Sequence, residues 1–310
     1  MQGRYFWNKR SEEGLNKAVE FFIQATVKDP SFARAYSGLA DSYMLMGILD
    51  LGMNPHEAIT KAKAAAQKAV ALDDTLAEAH TSLAFMAYNY DFDWDTADRQ
   101  FRRAIELNPN YVTAHHWYSQ FLNVVKRFDE SEAEIKKALQ LDPSSLIINA
   151  DYGATFYYSR RYDQAVTQHR KTLQLEPRFA FAHQELGRAY TMQGRYDEAI
   201  AEFNEAIEIS GRRPVLLAVL GYAYGMSGRR TETEKLLQEL EVLRKQRVVL
   251  AFNFITIYLG LNDKQKAMEW MEINFKERQS ALIILGIEPR YDSLRSEPRF
   301  QEMLKELKLD

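Results

Sequence analysis

Apolar residues recur along this chain three and four apart, in segments about one long helix in length, with polar turns between them. The stretch AFAHQELGRAYTMQGRYDEAIAEFNEAIEISGRR, residues 180–213, holds two such segments on either side of Gln193-Gly194-Arg195. Small residues mark the register: Ala97, Ser131, Ala165, Ala199, Thr233 and Ala267 follow one another at steps of 34. Gly153, Gly187 and Gly221 keep the same step, as do Pro109, Pro143 and Pro177, and Ala104, Ala138, Thr172 and Ala206. Small side chains let helix axes approach to about 8–10 Å, and Tyr190, Tyr196 and Phe203 are large enough to fill the space beside such crossings. Helices are expected to end at Asn108-Pro109, Asp142-Pro143 and Glu176-Pro177, because the residue before proline disfavours the α region.

The repeat divides the chain. Residues 33–281 read as seven helix–turn–helix units: 33–76, 77–111, 112–145, 146–179, 180–213, 214–247 and 248–281. The first is oversized, with ILDLGMNPHEA inserted before its second helix and Pro55 fitting that helix's first turn. The second has 35 residues, the extra one expected in the turn YDFDWD. Later units drift: Gly211 and Lys245 stand where earlier ones have proline, and Leu240 and Asn274 where they have alanine. Residues 1–32 read as a truncated first repeat, since KAVEFFIQATVKDP is a full second helix but GRYFWNKR leaves only the last turn of a first. So short a helix is marginal alone, and the expectation is a longer protein whose upstream residues complete it. Residues 282–310 read as a C-terminal capping segment, with Ser296 as N-cap of a final helix whose charged outer face suits a solenoid end.

This period, with helix–turn–helix content, resembles the tetratricopeptide repeat. Unit 180–213 carries Leu186-Gly187, Tyr190, Gly194, Tyr196, Ala199, Phe203 and Ala206 in that family's spacing. The resemblance implies an all-α fold, a right-handed α-solenoid of tetratricopeptide helix–turn–helix repeats whose first helices line a concave groove. More narrowly, GRYFWNKR, DFDWDTA and PRYDSLRSEPRFQEML are similar to the repeat module of large bacterial signalling and regulatory proteins. That similarity implies an interaction or sensor module, cytoplasmic or alternatively periplasmic.

Composition removes several function classes. A formal net charge of −3 gives no reason to expect nucleic acid, whose binding usually shows as a strongly basic face. With no cysteine there is neither a disulfide framework nor a thiolate metal site. No apolar run approaches the roughly 18 residues of a membrane span, and MQGRYFWNKRSEEG lacks the apolar centre of a signal peptide. Asp91, Asp93 and Asp95 have the alternate spacing that opens a calcium loop, but Thr96 and Arg102 stand where an EF-hand needs glycine and glutamate. They read as a polar turn with Phe92 and Trp94 tucked into the core. His80, His115 and His183 share one repeat position, with His116 adjacent. Clustered histidines bind zinc, yet this position commonly holds a packing residue and the family needs no metal. No motif pairs a nucleophile with a base, so neither an enzyme nor a cofactor is expected.

Two surfaces remain. Lys126-Arg127, Arg160-Arg161, Arg195 and Arg229-Arg230 occupy the turns inside the units, where stacking would align them as a basic edge for an acidic partner. Cations that offset a helix C-terminus explain them equally well. The groove is the stronger candidate. Its stripe comprises Phe85 and Tyr88, then His116, Trp117, Gln120 and Asn123, then Tyr157 and Tyr158, then Phe181, Gln184 and Arg188, then Tyr222. Aromatics, amides and an arginine suit an extended peptide, although such aromatics also pack between units. Trp117, Tyr157 and Arg188 are expected as exposed anchors of one continuous groove. The lysine–asparagine clamp by which some family members hold a C-terminal carboxylate is not present, since Thr113, His116, Ala150 and Asp151 stand in the comparable places. The expected function is a non-catalytic protein- or peptide-binding scaffold of open oligomeric state. The alternative is a small-molecule or anion sensor using the groove or the basic edge. A closed pocket of convergent charges would favour the sensor, an open aromatic groove the scaffold.

Overall fold

The computed structural model describes residues 2–9, 11–48, 53, 55–246, 248–278 and 280–310; residues 49–52 and 54 of the insertion expected in unit 33–76 lie outside them, and its last four residues, from Pro55, are already helical. All regular structure among the described residues is helical, in hairpins that repeat along the chain. Two compact units are present, residues 1–121 and 122–310. In the first, α1 (Gln2–Trp7) packs on α2 (Glu12–Lys28), α3 (Ala33–Ile48) on α4 (Pro55–Leu72), and α5 (Ala77–Met86) on α6 (Trp94–Leu107). Helix α7 (Val112–Val124) straddles the division. The second unit begins with α8 (Phe128–Leu141) and continues as hairpins: α9 (Leu146–Tyr158) with α10 (Tyr162–Leu175), and α11 (Ala180–Met192) with α12 (Tyr196–Ser210). Two more follow, α13 (Pro214–Met226) with α14 (Arg230–Gln246) and α15 (Ala251–Gly260) with α16 (Lys264–Lys276). Two 3-10 turns, Ser280–Ile284 and Pro289–Leu294, and α17 (Pro298–Glu306) complete it.

The small-residue ladder lies at the helix crossings. Ala97, Ser131, Ala165, Ala199, Thr233 and Ala267 are fully buried, as are Ala104, Ala138, Thr172 and Ala206. The glycine ladder works by close approach: a Cβ on Gly187 would meet the Phe203 ring at 2.6 Å, and one on Gly153 would collide with the His169 ring.

A further ladder sets the turns within the hairpins. Lys126, Arg160, Gly194, Gly228 and Asn262, again 34 apart, all have positive φ, between 56° and 80°. In each turn the next residue's amide donates to a carbonyl five residues back, as from Arg195 to Tyr190 at 2.9 Å. This is the Schellman closure of a helix end. In the pairs Lys126-Arg127 and Arg160-Arg161 the first residue is therefore the left-handed turn residue itself, whereas Gly228 takes that place ahead of Arg229-Arg230.

Two local expectations are corrected. The extra residue of the 35-residue unit is not in the turn YDFDWD alone but is absorbed largely by a π-helical turn, Ala87–Asp91, at the end of α5. Phe92 and Trp94 are half-buried and meet edge to face at 6.0 Å rather than entering the core. At α17 the N-cap is Glu297, not Ser296, because Pro298 supplies the first helical residue.

Candidate functional site

The histidines of the shared repeat position are clamps within their repeats. Nε2 of His80, His115 and His183 donates to the carbonyl of Asp74, Pro109 and Pro177, at 2.7, 2.9 and 2.9 Å. Asn149 fills the same position and donates to the Pro143 carbonyl at 3.1 Å. Each side chain ties its first helix to the loop that enters it. Among the described residues no group of three metal-ligating side chains occurs. Asp93 caps α6 through the Thr96 amide and Asp91 pairs with Lys63 at 2.8 Å, so both are engaged in ordinary surface roles.

In the first unit the expected groove aromatics pack on one another. Trp117 lies 4.7 Å from Phe85 and 6.3 Å from Trp7, and Phe85 lies 5.1 Å from Tyr88. His116 is buried beside them in α7, and Gln120 is half-buried. Below this cluster the Asp41 carboxylate is buried between Arg4, which pairs with it, and Ser82, which donates at 2.6 Å. In the second unit Asn123 is buried and donates to Thr155 at 3.1 Å. Tyr158, Phe181 and Gln184 are half-exposed. Tyr157, Arg188 and Tyr222 are buried. The three expected exposed anchors are thus 3% (Trp117), 0% (Tyr157) and 9% (Arg188) exposed. Aromatics at groove positions are large enough to be claimed by neighbours that spacing along one helix does not reveal.

What covers Tyr157 and Arg188 is the chain's own C-terminal segment. The Tyr157 hydroxyl donates to Glu288 Oε1 at 2.8 Å, and Arg188 donates to Glu288 Oε2 at 2.7 Å. Arg188 also pairs with Glu185 at 2.6 Å, one helical turn earlier on α11, and its guanidinium lies 4.3 Å over the Tyr157 ring. Arg290 closes the group from the same segment, donating to Glu288 Oε1 at 2.8 Å and lying 3.4 Å from the Thr256 hydroxyl of α15. Two carboxylates and two guanidiniums therefore meet in the interior with no net charge. Burial alone would raise the Glu288 carboxyl, but Arg290 and Arg188 override it and hold the group well below the usual carboxylate range. Burial pushes the Tyr157 hydroxyl well up, and that of Tyr222 nearby to about 12. At neutral pH Glu288 has no proton to give and Tyr157 keeps its own. The group matches fixed charges and donors to one another.

Sequence reasoning found Tyr157, Arg188 and Tyr222 but missed Glu185, Glu288 and Arg290. Glu288 and Arg290 lie outside the 34-residue register, and a pairing across 100 positions, as between Arg188 and Glu288, leaves no trace in local spacing. The basic turns are largely neutralised: Arg127 pairs with Glu130, Arg161 with Glu132, Arg195 with Glu198, Arg229 with Asp197, Arg230 with Glu234 and Arg160 with Asp292. The surface has a cleft of about 670 Å3 beside Arg160, Arg161 and Arg195, and one of about 650 Å3 beside Met268, Glu272 and Arg299. Among the described residues no helix is long and apolar enough to cross a membrane.

Residues 92–145 and 153–214 match the tetratricopeptide repeat family in sequence. No curated protein matches the chain. Among solved structures, the type IV pilus biogenesis factor PilW is 22% identical with a TM-score of 0.56, over 68% of this chain and 92% of that one. Yeast Tom70 is 17% identical with a TM-score of 0.56, over 95% of this chain and 63% of that one. A chain of the APC/C hetero-tetramer Cut9-Hcn1 is 12% identical with a TM-score of 0.58, over 98% of this chain and 48% of that one. At such identities the likeness is one of fold.

Proposed function

We propose that this tetratricopeptide-repeat protein is a non-catalytic scaffold that holds a protein or peptide partner along its first helices. We further propose that it serves as the interaction module of a larger bacterial regulator, a reading that rests on GRYFWNKR, DFDWDTA and PRYDSLRSEPRFQEML. The observation that carries the scaffold reading is that first helices of the second unit already hold a distant stretch of polypeptide through side chains. Beside that stretch Tyr158, Phe181 and Gln184 stay half-exposed on α9 and α11, offering aromatic faces and an amide with both donors and acceptor. The anion-sensor alternative is weakened, because the turn arginines are paired with carboxylates and the convergent buried charges neutralise one another.

A photo-cross-linking residue placed at Gln184 and, separately, at exposed Lys171 on the outer helix α10 tests the scaffold reading in cells. Cross-links to other proteins are expected from position 184 and not from 171. Cross-links from 171 alone would move the binding surface to the second helices.

A further inference from the structure

Residues 280–310 break the architecture of what precedes them. After α16 the chain does not add a hairpin; it makes its two 3-10 turns and α17 and runs back over earlier first helices. Arg290 lies against Thr256 of α15, and Glu288 against Arg188 of α11 and Tyr157 of α9. Asp292 pairs with Arg160 in the turn after α9 at 2.8 Å, and the Leu309 carbonyl accepts from Lys126 in the turn after α7 at 3.0 Å. The last of these contacts spans 183 positions. A segment that crosses several repeats and meets side chains from α9, α11 and α15 has the placement of a bound peptide.

The charges give this seat its selectivity. Helix α11 presents a carboxylate and a guanidinium three residues apart, and the segment answers with Glu288 and Arg290, two apart. A buried pair contributes little net stability, because desolvation offsets the attraction, but one charge left alone there is costly. The network therefore selects register and ligand chemistry more than it adds affinity. Affinity comes from Leu285, Ile287, Tyr291 and Leu294, all buried.

We propose that residues 284–310 are a built-in ligand that closes the first-helix face of the second unit, and that this face accepts in their place a peptide of the same chemistry. That peptide presents a glutamate, an arginine two residues on and an aromatic directly after it, the Glu-Pro-Arg-Tyr pattern of residues 288–291. The inference rests on the scaffold reading and names both its ligand class and its regulation. A tethered segment has an effective concentration on the order of millimolar, so the closed form is the resting one and an outside peptide enters once the segment is loosened.

The test titrates a fluorescein-labelled peptide of sequence 284–297 against the full chain, read by fluorescence anisotropy. A second peptide has glutamine in place of its glutamate at 288. The Glu288→Ala/Tyr291→Ala chain, with helicity confirmed by circular dichroism, is expected to bind the first peptide at least tenfold more tightly than the wild type does. It is expected to prefer the first peptide to the second by at least tenfold. Equal weak binding by wild type and a folded double variant, or equal binding of the two peptides, overturns the proposal. Should the double variant lose its helicity, Asp292→Arg takes its place, since it breaks only the exposed pairs of Asp292 with Arg160 and Arg295. It must raise uptake at least threefold, and no rise overturns the proposal. Cross-linking from position 184 is independent of these titrations, so their failure leaves the scaffold reading standing.

Discussion

His169 occupies the repeat position held by Phe101, Ile135 and Phe203, an apolar packing place. It is fully buried under Gly153, and neither ring nitrogen has a hydrogen-bond partner. Burial lowers it from 6.5 to about 4, with Glu185 and Asp151 opposing and Arg188 assisting. The fold therefore favours the neutral ring, and the unfolded chain binds the extra proton. This contribution is complete above pH of about 6.5 and is lost as pH falls to about 4, a difference on the order of 3 kcal/mol. His169→Phe, which copies the Gly187–Phe203 contact, should raise the thermal midpoint at pH 4.5 by more than at pH 7. A variant with the wild-type pH slope would show that the ring is not the titrating group. His183 has the opposite sign: its hydrogen bond to Glu202 raises it, so its contribution is full at low pH and fades as pH rises through its folded value. Ala199 has no room to grow: Ala199→Leu should cost about 1–3 kcal/mol by overpacking, read as a lowered midpoint in urea, and an unchanged midpoint would place it away from a crossing.

At the scale of elements the turns carry a cost that residue type decides. A Cβ on Gly194 meets nothing within 4 Å, so Gly194→Ala tests backbone conformation alone. At φ of 74° the variant should lose about 1 kcal/mol, whereas Asn262→Gly at the same ladder position should gain somewhat less, both read from urea unfolding. No change at either position would mean that the turns relax to negative φ. This ladder also marks how far the fold was legible. Ala199 and Gly187 announced their places because a helix crossing demands small side chains at a fixed period. Lys126 and Arg160 did not, since a left-handed turn residue can be any type whose strain the Schellman hydrogen bonds offset. The π-turn at Ala87–Asp91 was half legible: the extra residue shows in the count, but the helix decides where to absorb it. The candidate site was least legible. Tyr157 and Arg188 lie where helical spacing places them, yet what faces them comes from Glu288 and Arg290, which no period connects to α11.

For the molecule as a whole, a stack of hairpins in which each touches only its neighbours should unfold piecemeal from its ends. The second unit escapes that rule. Its terminal segment reaches Lys126, Arg160, Arg188 and Thr256, so the last residues of the unit bond to its first turn and to hairpins between. Fraying at one end must break contacts at the other. Native-state hydrogen exchange should then give α9, α11 and α15 a common opening free energy, and Glu288→Gln should separate them into graded values, lowest at the ends. Graded protection in the wild type would mean that the segment follows the hairpins rather than joining them. The same closure lengthens the mean sequence separation of contacts and so slows the final folding step. An array whose hairpins would zip up locally must wait for its tail, and the tail makes the unit cooperative.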